Sequence, residues 1–446
     1  MPHKHAHLLS HALMRKPWKA AGTLIGTLIL WAGASLPAHA LPSYERQTGQ
    51  ECATCHVGAF GPQLTPYGMK FKLEGYTASN GQPNVPLSAM ALASWTHTEK
   101  DQDIGNNKGA LQEVSAFLAG KLSDHVGSFV QATYSGIDHK TALDNVDVRY
   151  ALPTRIAGKD AVLGISLNNN PSVQDPLNTL PAWRFPFTSS EYAPGSASPL
   201  LAGTLAQQAL GVTAYGYWDN AVYAEMGGYK SLSKDFLDKV NVGADAGKID
   251  GTAPYWRLGY IKDLGGSAYS AGLFGMNAKL LPDRVAGPSD GYDDIGIDAS
   301  YQYRAGKNAY SLAASYLHES QERNATFAAG GANTLKGKLN RYDLIASYYY
   351  DQTYGLSANL FSTRGDADAT LYGSANGKPD TDGLTLQADW TPFGKEDSWG
   401  GSWANLRLGL QYTLYSKFMG ASHNYDGAGR NAKDNNTVFA FIWTAF

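Results

Sequence analysis

From about residue 85 onward, apolar and polar residues alternate with a period of two. In "IGIDASYQYR", Ile295, Ile297, Ala299, Tyr301 and Tyr303 share one face, and Gly296, Asp298, Ser300, Gln302 and Arg304 share the other. In "LRLGLQYTL", Leu406, Leu408, Leu410, Tyr412 and Leu414 oppose Arg407, Gly409, Gln411 and Thr413. Val146, Val148, Tyr150 and Leu152 likewise oppose Asn145, Asp147 and Arg149. Period-two alternation predicts β-strands with two chemically different faces. About sixteen such segments begin near 87, 110, 128, 142, 160, 204, 220, 254, 266, 293, 308, 337, 354, 383, 403 and 435.

The connections between these segments alternate in length. "LSDHVG", "WDN", "DLGG", "RAGKN" and "DQTYG" are short, whereas polar stretches near 170–203, 230–252, 280–292, 318–336, 364–382 and 416–434 are long. The connection near 136–141 is short where a long one is expected, and that near 392–402 is longish. An apolar face backed by charge fits either a soluble sandwich or a barrel with lipid outside and a polar lumen inside. Three features favour the transmembrane antiparallel barrel. Tyr and Trp cluster at strand ends, in "YGYWDN", "SYYYDQTYG" and "WTPFG", as interfacial girdles require. The last segment, "TVFAFIWTAF", ends on Phe446 as outer-membrane strands do, although Phe439, Phe441 and Trp443 make its second face apolar too. The short and long connections match periplasmic turns and outer loops, and an even strand count puts both termini on the periplasmic side.

The first 40 residues read differently. Lys4, Arg15, Lys16 and Lys19 precede the apolar run "AAGTLIGTLILWAGASL" and the site Ala38-His39-Ala40, the pattern of a cleaved export signal. The competing expectation is a membrane anchor, because the run approaches spanning length. The tract of His3, His5, His7 and His11 falls in the part expected to be removed. The formal charge of the whole chain is −3, and loss of four cations makes it −3 − 4 = −7. That balance argues against a nucleic-acid partner, which needs basic clusters.

The two cysteines of the chain stand together in "GQECATCHVG", as Cys52 and Cys55, with His56 next. In an exported chain, C-x-x-C-H predicts covalent attachment of one haem c. The two thiols add across the porphyrin vinyl groups, and the following imidazole is the axial ligand of the iron. A thioredoxin-like site would need a βαβ setting, and a zinc site would need more Cys or His nearby. Neither is found within the next forty residues. The distal ligand stays open among Met69, Met90 and His97. Each also has an ordinary expectation, gap-filling for the methionines and a solvent or lumen position for the histidine.

Residues 41–77 resemble the haem domain of the fused monohaem cytochrome–porins, a family of outer-membrane proteins that includes bacterial Fe(II) oxidases. The matching pieces are the P-x-Y-x-R-Q-T-G run from Pro42, "PQLTPYG" after the histidine, and "FKLEGYT". The resemblance carries over Cys52 and Cys55 as thioether positions and His56 as axial ligand. Met69 stands where relatives are expected to have a basic residue. The stretch "NNNPSVQDPLNTLPAWRFPF" (168–187) resembles a loop of the same family. It is expected either to fold inward or to lie as an ordinary surface loop.

The organisation expected is a signal peptide (1–40), a mostly helical or irregular monohaem cytochrome c domain (41–80) and an outer-membrane barrel (81–446). So short a haem domain is expected to plug the lumen and use the wall as its shell, since chains near forty residues rarely fold alone. The implied function is electron transfer from an extracellular donor, by resemblance Fe(II), to a periplasmic cytochrome or copper protein. Two other classes remain: a porin in which the haem domain is a structural or regulatory plug, and a haem sensor or peroxidase-like site. In the loop 364–383, Asp366, Asp368, Asp380 and Asp382 are expected either to draw in a cation or to be a solvated acidic loop.

Overall fold

Inward-facing polar residues and outward-facing apolar ones require a sheet with no free edge, and the chain closes one. The computed structural model describes residues 42–102, 105–395 and 404–446. Among them sixteen long strands form a single antiparallel barrel. They are β1 (Leu87–Gln102), β2 (Gly105–Lys121), β3 (Val126–Ser135), β4 (Lys140–Ile156), β5 (Lys159–Asn168), β6 (Ala209–Trp218), β7 (Val222–Ser231) and β8 (Ala253–Asp263). The second half is β9 (Ser267–Leu281), β10 (Asp290–Ala305), β11 (Asn308–Arg323), β12 (Lys336–Tyr350), β13 (Tyr354–Gly365), β14 (Thr381–Trp390), β15 (Asn405–Lys417) and β16 (Thr437–Ala445). A two-residue strand, Lys248–Ile249, extends the ladder on β9. Closure is made by β1 against β16, with Met90 opposite Ala445 and Trp95 opposite Ala440. The ladder thereby runs round the wall with no free edge, apart from local bulges as at Leu92/Ala93, the condition for crossing hydrocarbon.

The alternation read from the sequence sets the two faces. Ile295, Ile297, Tyr301 and Leu410 point outward and are about half exposed, while Asp298, Gln302, Arg407 and Gln411 are buried in the lumen. The outward aromatics gather at the short-turn rim. Tyr260 lies 6.1 Å from Tyr269, Tyr303 lies 6.3 Å from Tyr310, and Tyr310 lies 5.0 Å from Tyr348. The β7–β8 loop carries a short helix, Lys234–Lys239, capped by Ser233, whose hydroxyl accepts from the Phe236 amide.

Two segments fill the bore. The first, residues 42–80, carries three short helices: α1 (Pro42–Thr48), α2 (Cys52–Cys55) and α3 (Pro66–Leu73). Its hydrogen bonds reach strands around the circumference. Tyr44 donates to Ser128 O on β3 at 2.7 Å, and Tyr76 donates to Asp147 on β4 at 2.6 Å. Tyr215 on β6 donates to Leu73 O at 2.7 Å, Gln302 on β10 donates to Leu64 O at 2.7 Å, and Gln63 bonds Ser311 on β11. A segment that touches walls on opposite sides lies inside them. The second is the long β5–β6 connection, which enters from the other end. Its Asp175 and the wall residue Asp298 flank Arg257 at 3.3 and 2.5 Å, and its Arg184 meets Asp343 at 2.9 Å. The 168–187 stretch is therefore an inward loop and not a surface one.

The apolar second face of β16 has a physical reason. Phe439 and Phe441 are buried against Leu92, and Trp443 packs at 5.0 Å on Phe60 of the plug. That sector of the inner wall faces protein instead of water.

Candidate cofactor-attachment site

The site is one turn of helix and the residue after it. Cys52 and Cys55 stand at i and i+3 of α2, on one side of the helix. The His56 amide closes the turn by donating to Cys52 O at 2.8 Å. Neither cysteine is in a disulfide; Cys52 is buried and Cys55 half-buried. The next helix packs directly behind. Thr65 caps α3 by accepting from the Gly68 amide at 3.2 Å, and its own amide donates to Cys55 O at 2.9 Å. Gly68 is required here, because a Cβ would fall 2.3 Å from the Cys55 carbonyl oxygen.

The barrel holds this turn from outside. Asn405 on β15 donates to Cys52 Sγ at 3.4 Å and to Ala59 O at 2.8 Å. The Ala53 amide donates to Gly394 O at 3.2 Å, and Gln352 accepts from the Gly58 amide at 2.6 Å. Gly58 has φ +80°, and a Cβ there would lie 2.3 Å from the Tyr349 ring. These wall residues lie at or beside the β12–β13 turn and the β14–β15 connection, so the turn sits at the end of the bore that carries the short turns.

Burial governs the electrostatics of the plug. It pushes the Cys55 thiol up to about 12, with the Glu45 carboxylate adding to the rise. It raises Glu45 to about 9, opposed by the bond that this carboxylate accepts from Cys52. It lowers His56 to about 4, opposed by the backbone carbonyls of Gln63 and Gly61. His56 Nδ1 is buried and makes no hydrogen bond. A neutral imidazole with an unmatched ring nitrogen, next to two free thiols on one turn, is the donor set that a c-type haem takes. The residues fit that group, with Cys52 and Cys55 as its tethers and His56 as its axial ligand.

The three distal candidates lie in different places. Met69 is buried in α3 within an apolar cluster with Leu73, Leu177, Tyr215 and Tyr223. Met90 is buried at the foot of β1 beside Phe60 and Phe117, and its sulfur accepts from Trp443 Nε1 at 3.2 Å. His97 lies on the outward face of β1 and stacks on Trp95 at 6.0 Å. Among the described residues, no three His, Cys, Asp or Glu side chains gather as a metal cluster.

The 364–383 loop uses three of its four carboxylates internally. Asp382 pairs with Arg364 at 2.7 Å, Asp380 accepts from the Gly365 amide at 3.2 Å, and Asp368 gathers the Asn333 and Thr334 amides at about 3 Å. They hold the loop to itself and to the β11–β12 loop, and among the described residues the Asp366 carboxylate makes no ion pair.

Sequence reasoning missed Lys72. It is wholly buried on α3, and its ammonium donates to Val173 O at 2.7 Å, Asp175 O at 2.8 Å and Asn178 Oδ1 at 3.1 Å. It stands 5.7 Å above the Trp183 ring. Asn178 returns a bond to Pro62 O at 2.6 Å. The plug and the inward loop are thus locked together at mid-lumen. The sequence signal was present in "FKLEGYT", where Lys72 falls between two apolar positions.

No family model matches the chain, and no curated protein matches it. Among solved structures, the chain is similar to the Salmonella typhi OmpF complex with daunomycin, at 14% identity and a TM-score of 0.48, covering 81% of this chain and 98% of that one. It is similar to the outer-membrane channel DcaP of Acinetobacter baumannii, at 12% identity and 0.45, covering 82% and 99%. It is also similar to an anion-selective porin from Comamonas acidovorans, at 12% identity and 0.42, covering 80% and 98%. The barrel itself rests on its own closed ladders.

Proposed function

We propose that this chain is an outer-membrane barrel that carries one covalent haem c on its lumenal plug and passes electrons from an extracellular donor to a periplasmic carrier. The observation that carries the proposal is the position of the Cys52–His56 turn. It is enclosed by the wall, with Asn405 on its sulfur, and does not hang outside. A haem outside the barrel would leave the apolar band, about 25 Å tall, between it and an outside donor. Enclosure at the short-turn end of the bore removes part of that gap and leaves the inward loop between the turn and the outer mouth.

When bound, the haem supplies a one-electron iron couple. The chain's own residues do the rest. Cys52 and Cys55 tether the group, and His56 presents its imidazole to the iron. The plug and the inward loop exclude bulk water, which raises the energetic weight of every charge nearby. The resemblance of residues 41–77 points to Fe(II) as donor and to a cytochrome or copper protein as acceptor. The test is a stopped-flow mix of oxidised, detergent-solubilised protein with Fe(II), followed at the haem α band. Growth of the band supports iron as donor. A haem that is present but stays oxidised removes iron from the proposal.

A second reading is a channel closed by its plug. The polar inner wall favours it, because Arg149, Arg257 and Arg407 line the bore as buried, ion-paired side chains. Planar-bilayer conductance separates the two. A channel opens when residues 42–80 are deleted and ignores haem loss, whereas an electron carrier loses its function with the haem.

A further inference from the structure

Beside the Cys52–Cys55 turn, the short-turn rim encloses a cleft of about 720 Å³. That volume lies in the range of cofactor and small-molecule sites. Thr54, Pro66 and Tyr67 line it from the plug, and Arg304, Lys307 and Lys395 from the wall. Ala53 and Thr54 of the attachment turn line it too, so the cleft starts at that turn.

Three cations and three acids line it, but the cations have fewer direct ion pairs than their number. Lys307 and Lys395 share a single carboxylate oxygen, Asp351 Oδ2, at 3.3 and 3.1 Å. Asp263 and Glu51 also line the cleft, and Asp263 accepts from the Gly265 amide at 2.8 Å. Arg304 is half-buried and makes no direct ion pair among the described residues; Asp263 attracts it through space, and its Nη2 is buried with no hydrogen-bond partner. A guanidinium carries five donors and no acceptor, and a buried donor left unmatched is destabilising. Such a donor calls for an anion, and a carboxylate suits its fork geometry best.

We propose that Arg304, with Lys307 beside it, binds the propionate carboxylates of a haem tethered at Cys52 and Cys55. This inference rests on the haem assignment and adds an electrostatic consequence. A fixed cation at the propionates favours the iron state with one positive charge fewer, so it raises the reduction potential. The cleft opens at the rim, on the side from which a periplasmic carrier approaches.

The test is a redox titration of the purified, haem-loaded native protein and of R304Q, R304K and K307Q, with covalent haem measured in each. Native protein and all three variants are expected to carry one haem. The midpoint potential falls in R304Q, falls less in R304K, which keeps the charge and loses the fork, and falls slightly in K307Q. An R304Q potential equal to the native value, with haem in place, overturns the propionate site and leaves the haem assignment standing. Absence of covalent haem from the native protein overturns both. If R304Q does not fold, K307Q decides, because the Lys307 side chain is 63% exposed and its loss does not disturb the wall. An unshifted K307Q potential then overturns the site.

Discussion

Asn405 on the barrel wall donates its side-chain amide to the Cys52 sulfur at 3.4 Å, joining strand β15 to a thiol 353 residues earlier in the chain. Cys52 is buried beneath Glu45 and Asn405, and Cys55 is half-buried with its thiol held protonated, so the seated plug restricts access to both sulfurs. On the proposed haem assignment, thioether formation is expected to precede enclosure by the barrel.

That order has a measurable outcome. Haem-free protein refolded into detergent and then given haem under reducing conditions is expected to form no thioether bonds. The same protein, matured with haem before the barrel folds, is expected to be fully loaded. Covalent haem after acid–acetone extraction reads both. Equal loading by either route would show that the turn is accessible in the folded barrel.

The Lys72 clasp makes a second expectation. Burial lowers this amine from 10.5 to about 7, the largest cause, and Arg149 lowers it further, against Asp147, Asp175 and Glu225. The unfolded chain then binds more protons than the folded one between about pH 7 and 10.5. Stability accordingly rises with pH across that window. Lys72→Met removes both this slope and three hydrogen bonds, each contributing about 1 kcal/mol. Faster proteolysis within residues 169–208 and a flatter pH profile of thermal unfolding are expected. An unchanged profile would mean that Lys72 does not hold the inward loop.

Much of the wall was legible because lipid and lumen impose opposite demands on alternate residues. Each of the sixteen strands starts within five residues of its expected position, and β1, β11 and β13 start at Leu87, Asn308 and Tyr354. The least regular strand, β16, was irregular for a reason that alternation alone does not carry. Phe439 and Phe441 face a filled bore. The Cys52–His56 turn was visible as a motif. Its supports were not, because Asn405, Gln352 and Tyr349 lie about 300 residues away or more and have no spacing rule that ties them to it. Lys72 looked like one more charged residue in a helix, and only the inward loop gives it partners.

The outer face has its own test. Leu360, near the middle of β13, points to lipid and is 54% exposed, and Asn359 beside it points to the lumen and is 2% exposed. Leu360→Arg is expected to destabilise the barrel by about 2–4 kcal/mol in lipid vesicles, the cost of a cation at mid-membrane depth. Leu360→Val is expected to be close to neutral. Chemical denaturation in vesicles measures both. A tolerated arginine would place this strand outside the hydrocarbon.

Covalent haem content tests the central claim most directly. Native protein from membranes, unfolded in alkaline pyridine, is expected to show the haem c spectrum with one haem per chain. The Cys52→Ala, Cys55→Ala double variant is expected to show none while keeping the strand signal in circular dichroism, since no barrel ladder uses either cysteine. A native protein that folds as a barrel and carries no haem would contradict the account and leave the plug as a closure alone.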